Sequence, residues 1–234
     1  MFVLPFLFIS LFCFALWCLL FLFSKKTRKE QLLMSLFGFV LAPGMILLVL
    51  LTDFRQTASL TSGTVGIEDI LFAFSICGIA AVIYEIFLGR HVHLLKPQKG
   101  KFHSTGAHWL AHLIILLGLW MCVTLLLLLL FPINSVYAFI VGGLLIGIYI
   151  IADRHDLLLN ALLSGLFLVV ILFFLEQVFF IRLFPDAAIL FWKQTDSISG
   201  FYVYGIPLEE LLWAATVGFT LGPLYEYVRK WKLK

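Results

Sequence analysis

Glu68-Asp69-Ile70-Leu71-Phe72-Ala73 and Glu209-Glu210-Leu211-Leu212-Trp213-Ala214 stand 141 residues apart, and at that same offset Tyr84-Glu85 matches Tyr225-Glu226. Two adjacent acids opening an apolar run, found twice at one spacing, predict a duplicated helix. Carboxylates at the start of a membrane span are rare unless they pair, bind a ligand or carry protons. The duplicated stretch therefore sets both the expected fold and the place to look for chemistry.

The rest of the chain agrees with a membrane setting. Of 234 residues, 63% are hydrophobic and 12% charged, with 25 phenylalanines, a usage far from that of soluble domains. Apolar runs long enough to cross about 30 Å of hydrocarbon as helices fall near residues 2–23, 31–51, 66–89, 108–131, 135–152, 156–180 and 205–228. Seven spans are expected; the count drops to six if Ser135–Ala152, the shortest, is re-entrant.

Charge supports the seven-span count. Lys25, Lys26, Arg28 and Lys29 follow the first span, Arg90, Lys96, Lys99 and Lys101 the third, Arg154 the fifth, and Arg229, Lys230, Lys232 and Lys234 the seventh. Only Arg55, Arg182 and Lys193 fall on the other side. The positive-inside rule then places the N-terminus outside and the C-terminus in the cytoplasm, as a multi-pass protein of the cell (plasma) membrane. The net charge of +3 reflects these loops, which suit anionic lipid head groups, and nothing in it suggests nucleic acid.

The first span lacks a basic leader and a small-residue cleavage site, so it is read as retained. Cys13, Cys18, Cys77 and Cys122 all lie inside expected spans, where no disulfide framework or metal spacing is visible. The stretches between spans, about 89–107 and 181–204 at their longest, are too short for a soluble domain. The expected architecture is an all-α integral membrane protein of seven transmembrane helices, arranged as two parallel three-helix repeats joined by a linking helix (3+1+3). The first repeat covers 1–90, the linking loop and helix 4 cover 91–133, and the second repeat covers 134–234. With an odd unit followed by one extra crossing, both acidic pairs enter from the same side and can face each other near a pseudo-two-fold axis.

Helical geometry selects the inward acids, because residues at i, i+4 and i+7 share a stripe. Glu68 aligns with Phe72 and Ser75, and Glu209 with Trp213, Thr216 and Thr220, so both halves repeat the order carboxylate, ring, hydroxyl. Asp69 and Glu210 sit about 100° round the helix as partners able to share protons. Pro207, just ahead of the second pair, suits a first helical turn, while the first repeat has Gly66-Ile67 there. Glu176, near the outer end of the sixth span, lies at similar depth and can join the cluster.

Plainer roles compete for each residue. Acids in a first turn cap helices and suit the macrodipole. Tyr84-Glu85 and Tyr225-Glu226, about 25 Å from the pairs by helix rise, read as structural, with Glu226 able to pair with Arg229 one turn on. His108 and His112 are one turn apart but have no acidic third ligand, so no metal site is expected. Residues 184–192 read as a short helix on the outer surface, an interfacial anchor or a lid.

The stretch Gly205-Ile206-Pro207-Leu208-Glu209-Glu210-Leu211-Leu212-Trp213 resembles the Pro-x-Glu-Glu/Asp signature of the membrane lycopene cyclase domain, found in heterodimeric, fused and bifunctional lycopene cyclases. The duplicated three-span unit is similar to that family as well. The resemblance implies a non-redox isomerase that cyclises the end of an acyclic carotenoid or related isoprenoid, a hydrophobic polyene held within the lipid bilayer. It transfers functional roles to Pro207, Glu209 and Glu210, and Glu68 and Asp69 match the acids of the first unit. The first unit lacks the proline, and Trp213-Ala214 stands where phenylalanines are frequent. No cofactor is predicted, flavin dependence being left open, and an oligomer is compatible with the sequence.

That chemistry suits these side chains. Protonating a carbon–carbon double bond needs a carboxylic acid kept neutral until it reacts, and adjacent buried carboxyls can share a proton. Ring closure makes a carbocation, for which Phe72 and Trp213 offer ring faces before a carboxylate removes a proton. The expected catalytic residues are Glu209, Glu210, Glu68 and Asp69; the expected substrate-binding residues are Phe72, Trp213, Ser75, Thr216, Pro207 and Glu176. The alternative is a proton- or cation-coupled membrane carrier using the same carboxylates. It calls for polar lining through to the other face, where only Ser75, Thr216 and Thr220 are found. A retinal-binding protein lacks its Schiff-base lysine in span 7, and a double-glutamate membrane protease lacks the arginine one turn on, where Ala214 stands, and intramembrane histidines in spans 3, 6 and 7.

Overall fold

The computed structural model of the chain describes residues 4–50, 65–88, 92–94, 107–192, 199–229 and 231–233. Arg55, Arg90, His91, Lys96, Lys99, Lys101, His103, Lys193, Lys230 and Lys234, all in the predicted loops and tail, lie outside them. Within the described residues, long helices occupy each predicted segment: α1 (Leu4–Phe23), α2 (Arg28–Leu50), α3 (Ile67–Leu88), α4 (Ala107–Leu130), α5 (Ser135–Asp153), α6 (Leu158–Glu176) and, after the short α7 (Pro185–Phe191), α8 (Leu208–Arg229). Five of these, in α1, α3, α4, α5 and the α6 region, are both long and apolar enough to cross a membrane. The protein is accordingly a mostly helical, multi-pass membrane protein. The helices α2 and α8, 23 and 22 residues long, have the length but carry more polar residues.

Local chemistry explains where the helices begin and end. At α5 the Asn134 side chain accepts from the Val136 N–H at 3.0 Å, a standard N-cap. At α3 the Asp69 carboxylate reaches back to the Gly66 N–H at 2.9 Å, satisfying one of the donors that a helix start leaves over. Arg28 closes α1: its Nε donates to the Phe21 carbonyl at 2.7 Å and its Nη2 to Leu22 at 3.2 Å, while the guanidinium lies 5.2 Å from the Phe21 ring centre. Between α5 and α6, Arg154 holds Asp156 in a bidentate pair, Nε and Nη2 donating to its two carboxylate oxygens at 2.9 and 2.6 Å, and a single 3-10 turn (His155–Leu157) reverses the chain.

Two departures from the predicted spans lie at the end that bears the acid pairs. The sixth helix does not stop at residue 180 but widens into a π-helical segment, Gln177–Leu183, a feature often found at functional sites. The last long helix starts at Leu208 rather than 205, because a hairpin precedes it. Strand β2 (Tyr202–Val203) pairs antiparallel with β3 (Ile206–Pro207) around the two-residue turn Tyr204-Gly205. Both turn residues have positive φ, 50° and 88°, as the tight turns that match strand twist demand. The hairpin is anchored at two points: Gln177 Nε2 donates to the Tyr204 carbonyl at 2.6 Å, and the Leu208 N–H to Phe201 at 3.0 Å. At the opposite end, Val92–Leu94, following α3, pairs antiparallel with Trp231–Leu233, following α8.

Helices α3 and α8 form the centre and touch each other. α3 packs most extensively on α2 and then α1, whereas α8 packs most on α6 and then α5. α4 lies outside them against α5 and α8, with 28% of its span buried against 61% for α3. Close approach is achieved with small residues, as is usual where lipid supplies no hydrophobic drive for helix association. A Cβ added at Gly218 of α8 would come 2.6 Å from the Gly165 Cα of α6, so these two backbones are in contact.

Candidate active site

The predicted acids are all buried: Glu68, Asp69, Glu209 and Glu210 in the first turns of α3 and α8, and Glu176 at the junction of α6 and its π-helical end. Their immediate partners differ. Glu209 receives two hydrogen bonds on a single oxygen: the Tyr137 hydroxyl, from α5, donates to Oε1 at 2.8 Å, and the Ser199 backbone N–H donates to the same atom at 3.1 Å. Glu210 accepts from Trp192 Nε1 at 3.4 Å. Asp69 spends one oxygen on capping α3, so for this acid the plain capping role applies. Glu176 stands within electrostatic reach of the Cys13 thiol on α1.

One turn below the acids, the two predicted aromatic residues meet. The Phe72 and Trp213 rings stack with centres 6.0 Å apart and planes 21° from parallel. Phe6 of α1 lies 5.2 Å from Phe72, and Phe139 of α5 lies 6.4 Å from Trp213. Trp120 of α4 backs Phe139 at 4.7 Å and donates from Nε1 to its carbonyl at 3.0 Å. A band of rings therefore crosses the molecule from α1 through α3 and α8 to α5, directly under the carboxyls. Such contacts add about 0.5–1.5 kcal/mol each beyond simple burial.

The predicted hydroxyls all donate to backbone carbonyls. Ser75 Oγ donates to its own helix at the Leu71 carbonyl, 2.7 Å, and Thr216 Oγ1 does the same to Leu212 at 2.8 Å. Each proton is already committed, leaving only oxygen lone pairs for a ligand. Thr220 donates across to the Gly143 carbonyl of α5 at 2.9 Å and fixes the α5–α8 register. Pro207 is buried and ends the hairpin that delivers Glu209. The segment read as a surface helix is α7, with proline in its first turn. Trp192, just beyond it, packs 4.9 Å from Phe180 and supplies the donor to Glu210, so this segment touches one of the acids.

At the other end of α3 and α8 the reading changes. Glu226, which its spacing would allow to pair with Arg229, accepts on Oε1 from Asn160 Nδ2 of α6 at 2.8 Å. The Arg229 guanidinium lies 4.9 Å over the Trp109 ring and 6.0 Å from that of Tyr225. Glu226 also interacts electrostatically with Glu85 and with Glu30 of α2, all three being buried. Ser164 Oγ in turn donates to Asn160 Oδ1 at 2.9 Å.

Sequence reading missed Tyr137, Phe6, Phe139 and Ser199. A tyrosine near the start of a span reads as an interfacial anchor, and among 25 phenylalanines none stands out. One signal was present: Phe6 and Phe139 each lie near the start of a span that precedes an acid-bearing helix in its unit.

Fold and site together define a multi-pass membrane protein in which two acid-bearing helices meet through stacked rings. Residues 134–228, which run from the cap of α5 through nearly all of α8, match the family model for lycopene cyclase. Over those residues, the chain is similar to the lycopene cyclase family. No curated protein and no solved structure matches it.

Proposed function

We propose that the chain is a membrane isomerase of the lycopene cyclase type, closing a ring at the end of an acyclic carotenoid or related isoprenoid without net redox change. The observation that carries this reading is the burial of Glu209 and Glu68 in the first turns of touching helices, one turn above the Phe72–Trp213 stack. A carboxyl donates a proton to the terminal double bond, the cation so formed is attacked by a neighbouring double bond to close the ring, and a carboxylate removes a proton from the ring. One proton enters and one leaves, so the product is an isomer of the substrate. The ring faces stabilise the passing charge, an interaction of roughly 2 kcal/mol when desolvated.

The same proposal takes all seven long helices as spans in a 3+1+3 arrangement, with units 1–90 and 134–234 joined by 91–133. The matching packing order supports it: α3 on α2 then α1, and α8 on α6 then α5. The acid pairs face the outside, leaving the C-terminus on the cytoplasmic side of the plasma membrane. No cofactor is assigned.

A second reading, a proton- or cation-coupled carrier, is favoured by one finding, the buried acids Glu30, Glu85 and Glu226 at the opposite end. Against it stands the apolar layer between the two acidic levels, which includes Ile76, Ile79, Ala80, Val217 and Leu221. Expression in cells that accumulate lycopene, followed by analysis of the extracted pigments, tests the first reading: a cyclic isomer is expected, and its absence would refute it. Uptake of labelled ions or protons into proteoliposomes would instead support the carrier.

A further inference from the structure

We infer that Tyr137 is a positioning residue that orients the Glu209 carboxyl and directs its proton traffic to one oxygen. The inference rests on the reading of Glu209 as a proton-transferring group. Two donors converge on Oε1, the phenol at 2.8 Å and the Ser199 N–H at 3.1 Å. An oxygen whose lone pairs already accept two hydrogen bonds is a poor place for a proton. Any proton that Glu209 gives or takes is therefore directed to Oε2.

The phenol is held firmly enough for this task. Tyr137 lies in the first turn of α5, which Asn134 caps, and Phe139 two residues on is wedged between Trp120 at 4.7 Å and Trp213 at 6.4 Å. Thr220 clamps the same pair of helices lower down. Neither helix can rotate to release the hydroxyl without breaking these contacts. Oriented groups of this kind hold a reacting atom within the narrow range that proton transfer requires.

The arrangement also makes the two halves unequal. Phe6 stands over Phe72 as Phe139 stands beside Trp213. Two residues before Phe139 is Tyr137, whereas two residues before Phe6 is Leu4, which has no side-chain donor. The phenol thus acts on the acid of α8 and has no counterpart at the matching place in α1. Glu209 becomes the acid with a fixed proton face.

The test uses the full chain in native-like membranes and two readouts. Tyr137→Phe keeps the ring and removes the donor. Turnover is expected to fall about 10- to 100-fold, as loss of one hydrogen bond to a carboxylate implies, with the substrate concentration for half-maximal rate unchanged. Independently of activity, the infrared carboxyl band that disappears in Glu209→Gln is expected to move in Tyr137→Phe. Difluorotyrosine placed at position 137, a stronger donor of nearly the same shape, is expected to move it the opposite way and serves if Tyr137→Phe does not fold. A band unmoved by the two changes, or a loss confined to substrate binding, overturns the proposal. If the wild type forms no cyclic product, the isomerase reading fails while the band still reports whether the phenol holds Glu209.

Discussion

Replacing Glu209 with glutamine separates the chemistry of this site from its architecture. The amide has the size of the carboxyl and keeps an oxygen at Oε1, where it can still accept from Tyr137 and from the Ser199 N–H. What disappears is the ability of the second oxygen to carry a proton. Loss of a general acid or base costs about 10²–10⁴-fold in rate, equivalent to roughly 3–5 kcal/mol of barrier. Folding stability should change less than in an alanine variant, because the two donors that meet Oε1 keep their acceptor. Glu209→Ala makes the contrast: it strands a phenol and a backbone N–H in a site where Glu209 is 1% exposed, at about 1–3 kcal/mol for each unsatisfied group. Chromatography of pigments from lycopene-accumulating cells measures the first effect, and thermal unfolding of the detergent-solubilised protein the second. The expected pattern is loss of cyclic product in both variants, with melting lowered less for glutamine than for alanine. Undiminished product from Glu209→Gln would show that this carboxyl transfers no proton.

Other changes probe the supporting structure. Trp213→Leu removes the ring between Phe72 and Phe139; product formation should fall about 10-fold if the face contributes some 1–2 kcal/mol to the cation, and pigment assays will show it. Asn134→Ala deletes the cap of α5 and should destabilise the protein by about 1 kcal/mol, read as a lower melting temperature. Gly218→Val forces a side chain into the backbone of α6 at Gly165; overpacking of about 1–3 kcal/mol or more should appear as loss of a monodisperse peak in size-exclusion chromatography.

The positions of the long helices were legible in the chain because each is a local property: an uninterrupted apolar run of the right length, bounded by charge or by a cap such as Asn134. So was the burial of Glu68 and Glu209, which follows from the runs they open, while their repeated spacing to Phe72 and Trp213 is a matter of helical period alone. The plain capping role weighed for Asp69 also needed only its place three residues after Gly66.

Tertiary packing decided which partner each acid meets. Tyr137 reaches Glu209 across 72 residues, and Glu226 takes Asn160 across 66 rather than Arg229 one turn away. These pairings depend on the rotation and depth of one helix against another, set by many weak contacts such as the Gly165–Gly218 approach and the Thr220–Gly143 hydrogen bond. The hairpin at 202–207 and the π-helical end of α6 belong to the same class, since both are fixed by what they pack against. Hydrophobic period reports which face of a helix turns inward; which side chain waits there is a property of the assembled bundle.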